Sequence, residues 1–238
     1  YTDIIERIPR DEITEFQQIL SSQVTPETNL KFEIVGSYRR GAINSGDIDI
    51  IFTTTDPTKS TKEQEELFKN IITKLTCNGN IQHILAQGKT KCLVVGHIPP
   101  SIFHRRIDFL YTPPEQYAFA ILYFTGSRHF NTAMRGRALK KGISLNEHAF
   151  TVSKTGKPLS SIDPDAIFKS EKDIFDYLDM EYKEPQERVD DNSIVVKNKK
   201  FTETIHDIEK YRKEGKPFLE KQSKDTLLAM LYETNQQY

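Results

Sequence analysis

"GSYRRGAINSGDIDII", residues 36–51, sets a Gly-Ser turn and two arginines a few residues ahead of two aspartates separated by one isoleucine. In a β-strand, side chains at i and i+2 face the same way, so Asp47 and Asp49 present their carboxylates side by side while Ile48, Ile50 and Ile51 help to bury the strand. Two adjacent anions repel. Mg2+ relieves that repulsion well, because it takes hard oxygen ligands and leaves positions for substrate phosphates. A solvent-facing Asp pair in a turn is the ordinary alternative for a bare D-x-D, and the upstream residues weaken it. The apolar "FEIV", 32–35, reads as a strand turning into a short helix, which places Ser37 at an N-cap beside free backbone N–H groups. Arg39 and Arg40 follow within the first turn, where one guanidinium can grip a polyphosphate bidentately. Gly46 lets the backbone come close to phosphate oxygens.

Around this stretch the chain reads as α+β. An amphipathic helix at 10–22 precedes "FEIV", and a strand runs through "DIDIIFTT" to Asp56-Pro57. A helix follows with Leu67, Phe68, Ile71, Ile72 and Leu75 on one face, closed by "CNGN" at 77–80. "IQHILAQGKTKCLVVGHI", 81–98, reads as two strands joined near Gly88-Lys89, and "RRIDFLYT", 105–112, as a further strand stopped by Pro113-Pro114. That last strand supplies a third carboxylate, Asp108. Alternation puts Arg106 on the same face, where it can meet a nucleic-acid phosphate or orient the carboxylate. From 114 helices dominate, with a small hairpin around "AFTVSKTGKPL", 149–159, and a helix at "EKDIFDYLDM", 171–180. Polyphosphate, metal and carboxylates thus converge in the layout of a two-metal nucleotidyl transfer.

The 238 residues carry a net charge of -1, yet the charge is segregated. "RHFNTAMRGRALKKG", 128–142, holds Arg128, Arg135, Arg137, Lys140 and Lys141 with no acid, whereas 171–191 is dominated by Asp and Glu and reads as a solvated helix face. No stretch is apolar enough for a membrane span, so no membrane partner is expected. Cys77 and Cys92 have no metal-ligand spacing and read as inert packing residues in a reducing, intracellular compartment. The chain starts at Tyr1 and reads as a piece of something longer.

These residues resemble the family X DNA polymerases. "GSYRRGAINSGDIDII" resembles the family's palm motif, "RRID" its third catalytic carboxylate and "LYFTGSRHFNTAMR" its nucleotide-pocket helix. The likeness begins at "RIPRDE", continues through "LNEHAF" to "SEKDIFDYLDMEYKEPQER", and so covers about residues 1–188. It implies a nucleotidyltransferase palm with a mixed sheet over 1–113, then a smaller, mainly helical nucleotide-binding subdomain with a small β region over 114–188. Asp47 and Asp49 would bind two Mg2+ ions, with Mn2+ as a substitute, and Asp108 the catalytic one beside the primer 3'-OH. Arg7, Ser37, Arg40 and Gly46 would contact the triphosphate; Tyr123, Phe124 and Gly126 would line the deoxyribose; Asn131 would reach the base. Arg106, Arg135, Arg137, Lys140 and Lys141 would meet DNA.

The implied activity is template-directed filling of short gaps in DNA repair, with gapped or primed DNA and dNTP as substrates, in the nucleus or a viral replication compartment. The alternatives are a template-independent nucleotidyltransferase and a non-catalytic DNA-binding or recruiting module. "GSYRRG" and "YFTGS" favour templated synthesis over terminal transferases, and the three carboxylates speak against a non-catalytic role. Three departures stand out. The family's helix-hairpin-helix thumb and its lyase domain are expected to be missing from this chain. Arg128 stands where the pocket commonly holds a smaller or acidic residue, and it is expected over the incoming base. Residues 189–238 form a C-terminal extension whose last helix, with Leu227, Leu228, Met230 and Leu231, resembles the opening helices of NAD-dependent DNA ligases, which implies a ligase domain in the parent chain.

Overall fold

A strand buried on both faces organises the molecule. In a computed structural model, which describes residues 5–197, β1 (Ile8–Pro9) leads into α1 (Arg10–Gln23), where Ile13, Phe16 and Leu20 fall on one buried face. Then come β2 (Leu30–Ile34), the single turn α2 (Gly36–Arg39), β3 (Asn44–Ser45) and β4 (Ile48–Thr54). α3 (Thr61–Cys77) begins at a capping box, Ser60 and Glu63 each satisfying the other's backbone N–H, and buries Phe68, Ile71, Ile72 and Leu75. β5 (Ile81–Gln87), β6 (Lys91–His97) and β7 (His104–Tyr111) complete a five-stranded sheet in the order β2-β4-β7-β6-β5.

The sheet is mixed. β4 and β7 run parallel, and the other neighbours are antiparallel. Alternation sends Ile50 and Phe52 of β4 into the core beneath α1 and α3, while Ile51 packs with Val35, Ala120 and Ile121 on the opposite face. The continuous apolar run of β4 therefore reflects burial on both sides. Phe52 sits 5.9 Å from Phe109 of β7, ring centre to ring centre, which ties the two acid-bearing strands through their core faces.

The second unit contains α4 (Tyr117–Thr125), α5 (Arg128–Lys140), the hairpin β8 (Ile143–Leu145) and β9 (Phe150–Val152), and α6 (Glu171–Tyr177). Its core gathers Phe119, Phe130, Phe150 and Phe175, with Phe119 and Phe150 packed edge to face at 5.3 Å.

Glu171 joins the two units. It is only 7% exposed, accepts Arg39 Nη2 at 2.7 Å from α2, and accepts Arg188 Nη1 at 2.6 Å from the tail of the second unit. Arg188 is fully buried, its guanidinium 5.3 Å from the Phe175 ring centre. Burial opposes the charge on Glu171, but hydrogen bonds and charge from Arg39 and Arg188 outweigh it and hold the carboxyl below the usual carboxylate range. Glu171 is the exception to the solvated acidic face expected for 171–191: Asp176, Glu181, Glu184 and Glu187 are exposed, whereas the first residue of α6 points inward beside Ile174 and Phe175.

Residues 189–197, assigned from sequence to the extension, pack on the second unit. Ser127 Oγ donates to Val189 O at 2.6 Å, Glu181 N to Val195 O at 2.8 Å and Lys197 N to Asp179 O at 2.7 Å. The ligase-like helix with Leu227, Leu228, Met230 and Leu231 lies outside the described residues. Cys92 is buried and Cys77 exposed, so packing accounts for only the first. Among the described residues no helix is long and apolar enough to cross a membrane.

Glu171→Ala leaves the buried Arg188 cation unpaired and is expected to lower the free energy of unfolding by about 3 kcal/mol or more. Glu33→Ala, which opens the more exposed Arg39–Glu33 pair at 3.1 Å, is expected to cost under about 1 kcal/mol. Urea unfolding of both variants checks this, and equal effects would count against Glu171 as the junction.

Candidate active site

The two acid-bearing strands meet in register, Ile48 opposite Ile107 and Asp49 opposite Asp108. Asp47 stands just ahead of β4, and Arg106 of β7 pairs with it. Burial, followed by the charges of Asp47 and Asp108, pushes the Asp49 carboxyl up to about 7. Burial likewise raises Asp108, while Arg106 acts against that shift. Asp108 Oδ1 is buried without a hydrogen-bond partner. Lys91, across the sheet on β6, draws the pKa of Asp49 and Asp108 downward, a contribution that sequence reading missed because it depends on how β6 registers against β7.

Among the described residues no group of three or more His, Cys, Asp or Glu side chains stands ready to enclose a metal ion. Asp47 is held by Arg106, which takes one carboxylate out of such a group. The remaining chemistry still suits a hard divalent cation: two carboxylates in register on parallel strands, one orphaned buried oxygen and one carboxyl pushed toward neutrality by burial and, after it, by the neighbouring acids.

Gly36 adopts φ +63°, and a Cβ there would lie 2.7 Å from Asp49 Oδ2, so only glycine lets the turn pass over the carboxylate. This conformation starts α2 two residues earlier than expected. Val35 is its N-cap, and Ser37 lies inside the turn with Oγ donating to Ser45 Oγ at 2.8 Å, which corrects the N-cap expectation. The two arginines then diverge. Arg39 turns to Glu33, Glu171 and Thr125, whereas Arg40 faces the cleft and donates Nη1 to Thr125 O at 2.6 Å. Arg7 approaches from β1, donating Nε to Asn44 Oδ1 at 2.8 Å. A Cβ at Gly46 would come within 3.2 Å of Arg7 Nη1, so that glycine makes room for the guanidinium.

The cleft between the units measures about 780 Å³. Arg7, Ser37, Arg40, Gly46, Asp47 and Asp49 line its palm side. Tyr123, Phe124, Gly126, Arg128, Asn131 and Arg135 line the other, with Asn131 fixed by Nδ2 donating to Tyr123 O at 2.7 Å. Gly36 and Thr132 also line it and were not foreseen. Arg106 and Asp108 lie outside this lining. Arg128 and Lys140 share a further groove of about 840 Å³ along α5. Two of the residues expected at DNA also have partners inside the protein. Arg137 donates Nε to Leu178 O at 2.9 Å and pairs with Asp179, and Lys141 reaches Asp179 Oδ2 at 2.9 Å, so both are engaged within their own unit.

Residues 7–114 match the family model described as DNA polymerase beta palm, and residues 120–189 match the one described as DNA polymerase beta thumb. The chain belongs to the family X DNA polymerases. The family's palm carries the three aspartates. Its thumb, in that naming, is the unit expected from sequence as the nucleotide-binding subdomain, and is a different unit from the helix-hairpin-helix one expected to be missing. The chain is 33% identical over 203 residues to DNA polymerase lambda of Rattus norvegicus, a match covering 79% of this chain and 34% of that protein. It is 31% identical over 201 residues to DNA polymerase lambda of Arabidopsis thaliana, covering 79% and 37%. It is 27% identical over 206 residues to the DNA polymerase type-X family protein pol4 of Schizosaccharomyces pombe, covering 79% and 38%. The chain thus spans little more than a third of the length of the curated relatives it matches.

The raised Asp49 pKa carries a stability consequence. A carboxyl at 3.8 when unfolded and about 7 when folded contributes stability that is fully present below the lower value and lost as pH rises through the higher one. In chelator, Asp49→Asn is therefore expected to melt above the wild type at about pH 8, with the gap closing toward about pH 4. Thermal melts at the two pH values check this, and a constant gap would place the effect elsewhere.

Proposed function

We propose that this chain is the catalytic part of a template-directed DNA polymerase that fills short gaps in DNA repair, extending a primer 3'-OH from a dNTP. The observation that carries the reading is the convergence of Asp47 and Asp49 with Arg7, Arg40 and Asn131 on one cleft, beside Asp108 on the neighbouring parallel strand.

Arg40 and Arg7 meet the triphosphate from two sides, because both guanidinia face the cleft beside the carboxylates. α2 is too short for much of a helix dipole, so phosphate recognition falls on these cations, with the Ser37 hydroxyl beside them. Tyr123, Phe124 and Gly126 form the wall beside the sugar, Asn131 offers its amide to the base, and Arg135 lies on the template side. Asp49 and Asp108, with Asp47 once it leaves Arg106, would hold Mg2+ ions, two in number on this reading and replaceable by Mn2+. Such ions supply charge neutralisation and activation of the attacking hydroxyl. The chain's own part is alignment: a rigid two-strand platform for the acids and fixed cations over the phosphates. The resemblance of the extension to ligase openings adds to the proposal a sealing partner in the same parent protein, and a nuclear or viral replication site of action goes with it.

Primer extension on a one-gap substrate, run with and without the template strand, tests the reading. Incorporation of the matched dNTP alone supports it; addition without template would favour a template-independent nucleotidyltransferase. Asp49→Ala and Asp108→Ala are each expected to reduce incorporation to background, and clear activity in both would remove the acids from the chemistry. Arg40→Ala is expected to weaken dNTP binding by about 1.5–3 kcal/mol. Unchanged KM and kcat in that variant would remove Arg40 from the triphosphate.

A further inference from the structure

The turn between β6 and β7 exposes two apolar side chains at the acid end of the sheet. Ile102 is 81% exposed and Phe103 39%. The turn is nonetheless ordered from within: Ser101 N donates to Ile98 O at 2.9 Å, Phe103 N to Ser101 Oγ at 3.2 Å, and the His97 ring nitrogen Nε2 to Ser101 O at 2.7 Å. The Arg105 guanidinium lies 5.0 Å from the Phe103 ring centre and is itself clamped by Glu12 at 2.7 Å. Ile102 is therefore held out on a braced turn, where its burial costs little ordering entropy.

The position of the turn identifies what could cover it. β7 runs parallel to β4, so its first residues lie at the same end of the sheet as Asp47. Arg106, half-exposed, lies between the turn and Asp108 on one strand. The nucleotide cleft opens on the α4–α5 side and does not include Asp108 or Arg106. For a primer end that approaches Asp108 from the β7 side, Arg106 lies on the way. From His97 to Arg106, "HIPPSIFHRR", there is no acidic residue, which suits a polyanion.

We propose that Ile102 and Phe103 form an apolar contact with the primer–template duplex behind the primer end. Strand rise and base stacking both advance about 3.4 Å per unit, so for a duplex lying along β7 the path from Asp108 back to Phe103 and Ile102 sets the contact about five to six base pairs upstream of the reacting end. Apolar side chains such as Ile and Phe are suited to the sugar edges and base steps of the minor groove. The inference rests on the polymerase reading above and adds a duplex-binding element to it.

Hydroxyl-radical footprinting of the full chain on a primer–template tests it, alongside affinity from fluorescence anisotropy. The wild type is expected to protect sugars about five to six pairs behind the primer end. Ile102→Ser is expected to lose that protection, keep protection at the primer terminus and bind about five- to tenfold more weakly, with Ile102→Leu restoring both. An unchanged footprint and affinity in Ile102→Ser overturns the inference. So does a dimer that Ile102→Ser dissociates in sedimentation while the footprint stays intact, since that assigns the turn to a second copy. A wild type that protects no part of the duplex defeats the polymerase reading itself.

Discussion

Like-charge repulsion among three carboxylates is the constraint around which this molecule is arranged. Asp49 and Asp108 stand opposite one another because β4 and β7 pair in parallel, and Asp47 lies two residues from the first. A flexible loop would let such groups separate. Here the strands that carry them are packed on the core by Ile50, Phe52, Ile107 and Phe109, so separation would require the sheet to open. Burial raises the Asp49 pKa and the neighbouring acids raise it further, one Asp108 oxygen is left buried without a partner, and Arg106 offsets part of the charge at Asp47. A site in this state gains from any cation that can enter it.

The second unit contributes by closing a wall over those acids, and its placement depends on one buried ion cluster. Glu171 ties Arg39, which directly precedes the cleft-facing Arg40, to Arg188, whose carbonyl accepts Ser127 N at 3.2 Å. The turn at Gly126-Ser127 that opens α5 is thereby linked to the turn that crosses Asp49. Buried ion clusters add little net stability compared with apolar packing, but they fix geometry because each partner is costly to leave unpaired. The two neighbouring arginines show this division: one is committed to structure, the other left facing the cleft.

Glycine sets how closely these parts approach. Gly36 passes over Asp49 and Gly46 beneath Arg7, each at distances that a methyl group would violate or crowd. Glycine at these two positions thus brings cations, acids and backbone within a few ångströms of one another.

The sequence by itself determined the elements and the chemistry. Period-two alternation in "DIDII" and "RRIDF" placed Asp49 and Asp108 on strands, with Asp47 just ahead of the first, and helical spacing placed Leu67, Phe68, Ile71, Ile72 and Leu75 on one face, because local steric periodicity does not depend on the rest of the fold. Motif order was enough to point to the family, since each motif is contiguous. Tertiary structure alone decided what depends on partners distant in sequence. Arg39 and Arg40 are equivalent locally, and only the arrival of Glu171, far along the chain, separates their roles. Glu171 looked like one more surface acid until α6 packed against the palm. Arg137 and Lys141 looked like free cations until Asp179 met them. Lys91 joined the site through strand register, and residues 189–197 joined the second unit through hydrogen bonds to the Ser127 hydroxyl and to the backbone of Asp179 and Glu181. Charge pairing and sheet register are long-range properties, so a reading of neighbours along the chain has no access to them.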